Sequence, residues 1–311
     1  MVSIKIGNLK VKYRIGLAPM ASLTDIVFRR AVDEIGGVGF MVTELISAEG
    51  LRRKQEKTFE MIKTFDYISP QFIQLFGYDT VAFSESAKII KNETDFSGID
   101  INMGCPAKKV VKKGAGSALL KNPVQIAKIC SSVRKVSDLP LTVKIRLGYE
   151  NVNFRDILDV LEGEGVDAVT IHFRLKTDNY SVPAKWEFAE NLKKIYNFPV
   201  FGNGDIINVS IARKRLEKVD GILIGRGAIK NPFIFKELSG EKISEYKKAT
   251  IALRIIELIE EYYPEKLRLA RIKAFTKYIV AGKPGAKKIR REIYTSRSFN
   301  DAKKLFPQIW L

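Results

Sequence analysis

Eight short apolar runs, beginning near Ile15, Gly39, Gln71, Gly98, Leu141, Ala168, Val200 and Gly221, recur along the first three quarters of the chain. Amphipathic stretches such as Val81–Ile90, Pro123–Val133 and Phe154–Gly163 fill most of the gaps. Apolar runs too short for helices, alternating with helical periodicity, predict parallel strands joined by crossover helices. Eight such units predict closure into a (β/α)8 TIM barrel. A doubly wound open sheet is the alternative, but no glycine fingerprint follows the first run, where Leu17-Ala18-Pro19-Met20-Ala21 stands instead. After Ser239-Gly240 the strands stop, and helical periodicity takes over in Thr250–Tyr262 and Leu267–Val280. The expected class is therefore α/β: a catalytic barrel over 1–240, followed by a small all-α domain over 241–311.

Several classes are excluded early. No uninterrupted apolar run reaches the roughly 18 residues of a membrane span, and Met1-Val2-Ser3-Ile4-Lys5-Ile6 alternates too early in polarity for a secretory signal. Two cysteines, Cys105 and Cys130, give neither a disulfide framework nor a metal-finger spacing, so a cytoplasmic location is expected. A single histidine excludes multi-histidine metal sites, and no metal is expected. The formal net charge is +18, and Lys266 to Leu311 alone carries 13 basic against two acidic residues, a net +11. A basic excess concentrated in one segment is the footprint of a phosphate-backbone binder; an anionic membrane surface is the weaker rival.

Active sites of such barrels gather at the carboxyl ends of the strands. Gln74, Asn102, Lys144, Arg146, His172 and Asn203 are the polar residues expected there. Lys144 and Arg146 lie one pleat period apart, so both face the barrel interior, where two cations need an anionic or electron-rich partner. Asn102-Met103-Gly104-Cys105-Pro106 follows the fourth run and carries the one plausible reactive thiol on a turn; Cys130 lies in a helical pattern and is expected in the core. Gly202-Asn203-Gly204-Asp205 and Gly225-Arg226-Gly227 end the seventh and eighth runs, where such barrels commonly bind phosphate, with Arg226 as a counter-charge.

These residues together resemble the tRNA-dihydrouridine synthases. The resemblance is carried by Ala18-Pro19-Met20-Ala21-Ser22-Leu23-Thr24-Asp25, Thr43-Glu44-Leu45-Ile46-Ser47-Ala48-Glu49-Gly50-Leu51, Gln74-Leu75-Phe76-Gly77, the Asn102–Pro106 turn, Val143-Lys144-Ile145-Arg146, Asn203-Gly204-Asp205-Ile206 and Gly225-Arg226-Gly227-Ala228, in family order. It extends into Tyr278 to Ile293, which is similar to the family's helical tRNA-binding domain and contains Lys283-Pro284-Gly285-Ala286 and Arg290-Arg291-Glu292.

The resemblance implies FMN at the barrel mouth, contacted by Pro19, Met20, Ala21, Gln74, Lys144, His172, Asn203, Gly204, Asp205, Gly225 and Arg226. It implies NADPH or NADH as reductant, stacking on the same flavin face in a separate half-reaction. Cys105 falls on the proton donor to uracil C5. Asn102, Arg146 and Arg174 would face the substrate, and Lys287, Lys288, Arg290 and Arg291 would grip a tRNA approached through its D-loop region by a monomeric enzyme. Lys108, Lys109, Lys112 and Lys113, with Arg52, Arg53 and Lys54, are further cations expected at the mouth. One segment departs from the family pattern: His172-Phe173-Arg174 lacks the usual Gly-Arg-Thr continuation, and Tyr180-Ser181-Val182-Pro183-Ala184-Lys185-Trp186 lacks a usual glycine. Two other classes stand beside this one, a small-molecule flavin reductase of the dihydroorotate dehydrogenase or old yellow enzyme type, and a flavin-free RNA-binding barrel.

Overall fold

The chain begins with an element that the sequence reading does not contain. In the computed structural model, which describes residues 2–193, 195–279 and 285–309, β1 (Ile4–Ile6) and β2 (Leu9–Val11) form an antiparallel hairpin. Its turn is made at Gly7, whose φ of +58° favours glycine. Ile6 and Val11 are fully buried against Phe40, Phe72, Phe201 and Leu223. Three of those aromatic rings stack edge to face at 5.2–5.6 Å. The hairpin thus closes the end of the barrel opposite the strands' carboxyl termini.

The eight expected runs form β3 (Ile15–Leu17), β4 (Phe40–Ser47), β5 (Gln71–Phe76), β6 (Gly98–Met103), β7 (Leu141–Gly148), β8 (Ala168–Leu175), β9 (Val200–Asn203) and β10 (Gly221–Ile224). They pair in parallel in chain order, and β10 pairs with β3 to close the barrel. Both faces of β6 and β7 are buried along their whole length, as expected of parallel strands wrapped by helices. Alternation then sorts their side chains: Ile99, Ile101, Val143 and Ile145 face the helices, while Asp100, Asn102, Thr142, Lys144 and Arg146 point inward. Pairing puts Asn102 beside Lys144 and Arg146 beside His172, and His172 beside Asn203.

Most crossovers contain a helix, such as Ile26–Ile35, Thr80–Glu93, Pro123–Arg134, Phe154–Gly163 and Val209–Leu216. Between β8 and β9 there is instead a long loop with one 3-10 turn, Trp186–Ala189. The helix Pro123–Arg134 buries Cys130. After Gly240 the described residues form four α-helices, Glu245–Tyr262, Glu265–Ile279, Ala286–Thr295 and Phe299–Leu305. They share one apolar core with the barrel: Ile251, Ile255, Ile272 and Phe275 are buried in it, and the Phe275 ring lies 6.0 Å from Phe28. The boundary near Gly240 is thus a change of element type rather than a break in packing. The Ile279 side chain and the stretch Lys283-Pro284 lie outside the described residues. No helix among the described residues is long and apolar enough to cross a membrane.

Candidate active site

A cavity of about 380 Å³ opens at the carboxyl ends of the strands. Its wall is formed by the loop after β3 (Pro19, Met20, Ala21), the turn after β6 (Asn102, Gly104, Cys105), Lys144 and Arg146 of β7, His172 of β8, and the ends of β9 and β10 (Asn203, Gly204, Asp205, Gly225, Arg226). Residues from six strands or strand-end loops, scattered over two hundred positions of sequence, are thereby brought to one surface. Leu45, Pro106, Tyr180, Ile206 and Ile207 also line it and are not among the expected site residues. Tyr180 is the informative addition. Its ring stacks on His172 at 6.3 Å, and the Arg226 guanidinium lies 4.5 Å from it.

Of the residues expected around the cofactor and the uracil, two lie outside the lining, Gln74 and Arg174. Gln74 is fully buried beneath the cavity, where its side chain joins Asp100 and Asn102. Arg174 is also buried. It donates to Val182 O (2.7 Å), His172 Nε2 (3.0 Å) and Asp205 Oδ2 (2.6 Å), so it braces the wall from behind. Inward-pointing parity locates both residues, but says nothing of their depth.

The cavity is strongly cationic. Lys144 Nζ donates to Asn203 Oδ1 (3.2 Å) and forms no ion pair among the described residues. Burial, with Arg146 nearby, pulls its ammonium down to about 8. Arg146 donates to Gly104 O (2.8 Å) and Leu175 O (2.7 Å), which ties β7 to the Cys105 turn. Burial and the surrounding cations hold His172 well below its usual range, so the ring is neutral at ordinary pH. Arginine only donates, so the His172 Nε2 facing Arg174 accepts and its proton is on Nδ1. Asp205, at φ +50°, is the cavity's one carboxylate. Burial pushes its carboxyl up, but hydrogen bonds from Arg174 and the Ala184 N–H, and the charge of Arg226, outweigh this and hold it low.

Cys105 is half-buried on the rim. Its N–H donates to Asn102 Oδ1 (2.9 Å), and its carbonyl accepts from the Ser117 hydroxyl (2.9 Å), so the turn is held at both ends. At Gly204, with φ +127°, an added Cβ would come within 2.8 Å of Ala184 Cβ. At Gly225 it would approach Met20 Sδ to 3.2 Å. Both positions bring bare backbone to the cavity wall, as close approach of an anionic ligand requires. Lys144 and Arg146, which form no ion pair among the described residues, two such glycine turns and an apolar strip at Ala18–Met20 fit a flavin with its phosphate.

The outer cations divide. Arg52 and Arg53 pair with Glu49, and Lys54 approaches Glu93 at 3.9 Å. Lys108, Lys109, Lys112 and Lys113 are exposed beside the Cys105 turn. Lys287, Lys288, Arg290 and Arg291 are exposed on the helix Ala286–Thr295, away from the cavity lining, while Ile293 on the same helix is buried.

The family model for dihydrouridine synthase matches residues 16–308. The chain is 35% identical over 266 residues to a probable tRNA-dihydrouridine synthase of Rickettsia bellii, covering 84% of this chain and 81% of that protein. It is 33% identical over 305 residues to tRNA-dihydrouridine synthase B of Pseudomonas putida, covering 93% and 89%. Among solved structures, morphinone reductase in complex with tetrahydroNAD superposes with a TM-score of 0.54 at 12% identity, covering 78% of this chain and 91% of that one. The old yellow enzyme homologue of Zymomonas mobilis gives 0.53 at 12% identity, covering 78% and 93%. At such identities the structural likeness speaks for the barrel alone.

Proposed function

This chain belongs to the dihydrouridine synthase family, and from that premise we propose that it reduces the C5–C6 double bond of uridine in tRNA, giving 5,6-dihydrouridine. FMN is the flavin this reading places in the cavity, and NADPH or NADH the reductant; the substrate is a monomeric enzyme's tRNA, met near its D-loop in the cytoplasm. The observation that carries the reading is the half-buried Cys105 held on the rim of a cationic barrel mouth.

Bound flavin supplies the hydride that goes to C6 of the uracil ring. Addition there leaves the electron pair of the former double bond at C5, delocalised onto the C4 oxygen, and C5 then takes a proton. Cys105 is the group that gives this proton, and its rim position lets solvent replace it. Arg146, fixed by two backbone carbonyls, holds a permanent positive charge at the wall, suited to the oxygen on which charge develops. Lys144, which forms no ion pair among the described residues, neutralises negative charge on the cofactor side. Neutral His172 offers its Nδ1 proton as a hydrogen-bond donor. Asp205, Arg174 and Arg226 form the bracket that keeps the loops after β8, β9 and β10 in register. A uridine must leave its stack to enter, at a cost of a few kcal/mol. Phosphate contacts from exposed cations offset that cost.

The test is turnover of an unmodified tRNA transcript by the purified protein with NADPH, with dihydrouridine counted by mass spectrometry and the released flavin identified by chromatography. Dihydrouridine formed only in the presence of folded RNA, with FMN released, is the expected result. Rapid RNA-independent reduction of a small enone or of orotate, with none on tRNA, would overturn it in favour of a small-molecule reductase.

A further inference from the structure

We propose that Asp100 is a positioning residue that orients the Cys105 turn through a relay of two side-chain amides, Gln74 and Asn102. The inference deepens the reading of Cys105 as proton donor and rests on it.

Asp100 lies on β6, pointing into the barrel two residues before Asn102, and is not part of the cavity lining. Its Oδ1 accepts from the Thr142 hydroxyl at 2.6 Å, and its Oδ2 accepts from Gln74 Nε2 at 2.6 Å. An ionised carboxylate can only accept, so Gln74 must turn its nitrogen toward Asp100 and its oxygen away. That oxygen accepts from Asn102 Nδ2 at 3.0 Å. Asn102 must therefore present its own oxygen to the turn, where Oδ1 accepts the N–H of Cys105 (2.9 Å) and of Gly104 (3.3 Å).

Each amide has two orientations of the same shape, and only the polarity of its neighbours selects between them. Asp100, Gln74 and Thr142 are buried away from the cavity and Asn102 is only 5% exposed at its wall, so a wrong choice at Gln74 is out of reach of water and one at Asn102 nearly so. Flipping Gln74 would set its NH2 against the NH2 of Asn102, and flipping Asn102 would set NH2 against two backbone N–H groups. A buried donor left without an acceptor keeps the whole penalty of its lost hydration, so the wrong orientation is disfavoured. The carboxylate thus fixes the sense of the whole relay, three hydrogen bonds from the turn that carries the thiol. Burial pushes the Asp100 carboxyl up to about 6, against the pull of its two donors, so near neutral pH it remains an acceptor.

Asn and Leu at position 100 separate the relay from the charge, because both remove the negative charge beside Lys144. In Asp100→Asn the amide oxygen accepts from Gln74 while its nitrogen donates to the Thr142 hydroxyl, so the relay keeps its sense. In Asp100→Leu it has no anchor. In flavin-loaded protein, Asp100→Leu should lower the turnover number for dihydrouridine about ten- to a hundredfold, as a misplaced group does, with tRNA KM and flavin reduction by NADPH held near the parental values. Alkylation of Cys105 by iodoacetamide, read on its own peptide to exclude Cys130, should quicken several-fold as the turn loosens. Asp100→Asn should restore both readouts. Gln74→Leu cuts the same relay one link further on and should quicken alkylation likewise, which keeps the test in hand if Asp100→Leu does not fold. Parental alkylation in the Leu variants, or an Asn variant as impaired as the Leu one, would overturn the proposal. Alkylation reports the turn's position whether or not Cys105 is the acid; a fully active Cys105→Ala would defeat the proton-donor reading and leave the relay to be judged separately.

Discussion

At Cys105 every backbone contact serves position, since Asn102 takes its N–H and Ser117 binds its carbonyl, while the thiol stands at the cavity wall. Cys105→Ala should therefore keep flavin and its oxidation of NADPH but lose dihydrouridine formation by about a hundredfold to ten-thousandfold, the usual worth of a general acid; single-turnover reoxidation of reduced enzyme by tRNA checks it, and a near-parental rate would remove Cys105 from the mechanism. Lys144 carries a second prediction. Its pKa falls from 10.5 in the unfolded chain to about 8 in the native one, chiefly by burial. Between those values the native state binds fewer protons than the unfolded, so stability rises with pH across that window. Below it the buried ammonium costs about 3 kcal/mol. Lys144→Met should raise the melting temperature of flavin-free protein near neutral pH, abolish the rise between pH 8 and 10.5, and slow flavin reduction; an unchanged pH–stability profile would show that the ammonium is adequately solvated. Lys144 and Arg146 were legible as inward-facing by their period of two, and His172 by its place at a strand end. Asp100 was not, because one carboxylate inside Gly98-Ile99-Asp100-Ile101 reads as part of an apolar run. Its shared parity with Asn102 was the signal to follow.

Among the elements, the eight strands could be read to within a residue of their starts because each is buried on both faces and bounded by turn residues. The hairpin β1–β2 has a local signal, two alternating triplets Ile4-Lys5-Ile6 and Leu9-Lys10-Val11 about Gly7-Asn8, but at three residues each its strands fall below the run length by which the barrel strands are read. The wall after β3 also depends on something no local pattern reveals. Asp25 caps the helix Ile26–Ile35 through Phe28 N (3.1 Å), and its other oxygen takes the Tyr263 hydroxyl (2.6 Å) and an ion pair from Arg271. Arg271 also donates to Ser22 O at 2.9 Å, beside the cavity residues Met20 and Ala21. The helix Glu265–Ile279 is thus fastened to the loop that lines the site. Removing one partner of a buried pair costs about 3–5 kcal/mol because the other charge is stranded. Arg271→Met should lower the melting temperature accordingly and weaken flavin retention, whereas Arg213→Met, on an exposed face, should stay within about 0.5 kcal/mol. Equal melting of the two variants would mean that the clamp contributes nothing.

For the whole molecule, the charge asymmetry was legible in the sequence and the packing was not. Helical periodicity after Gly240 predicted a separate module, yet Ile272 and Phe275 enter the barrel's own core, and Lys273 donates to Ser296 O (2.9 Å) rather than facing only solvent. Deleting residues 241–311 would therefore strip apolar surface from the barrel and test folding instead of RNA binding. Substitution is the cleaner probe. Lys287, Lys288, Arg290 and Arg291 project from the helix Ala286–Thr295 whose Ile293 holds it to the core, so their removal leaves packing intact. Replacing all four with Ala should weaken tRNA binding and flatten its dependence on salt, each lost phosphate contact lowering the log–log slope by about 0.7 to 0.9. Flavin content, melting temperature and NADPH oxidation should not move, because these side chains meet backbone phosphate and not the reacting base. Filter binding across a salt series, beside the same series for the parent, decides the matter: parental affinity and parental slope would assign the tail's charge to solvated surface and leave the lysines beside the Cys105 turn as the remaining grip on RNA.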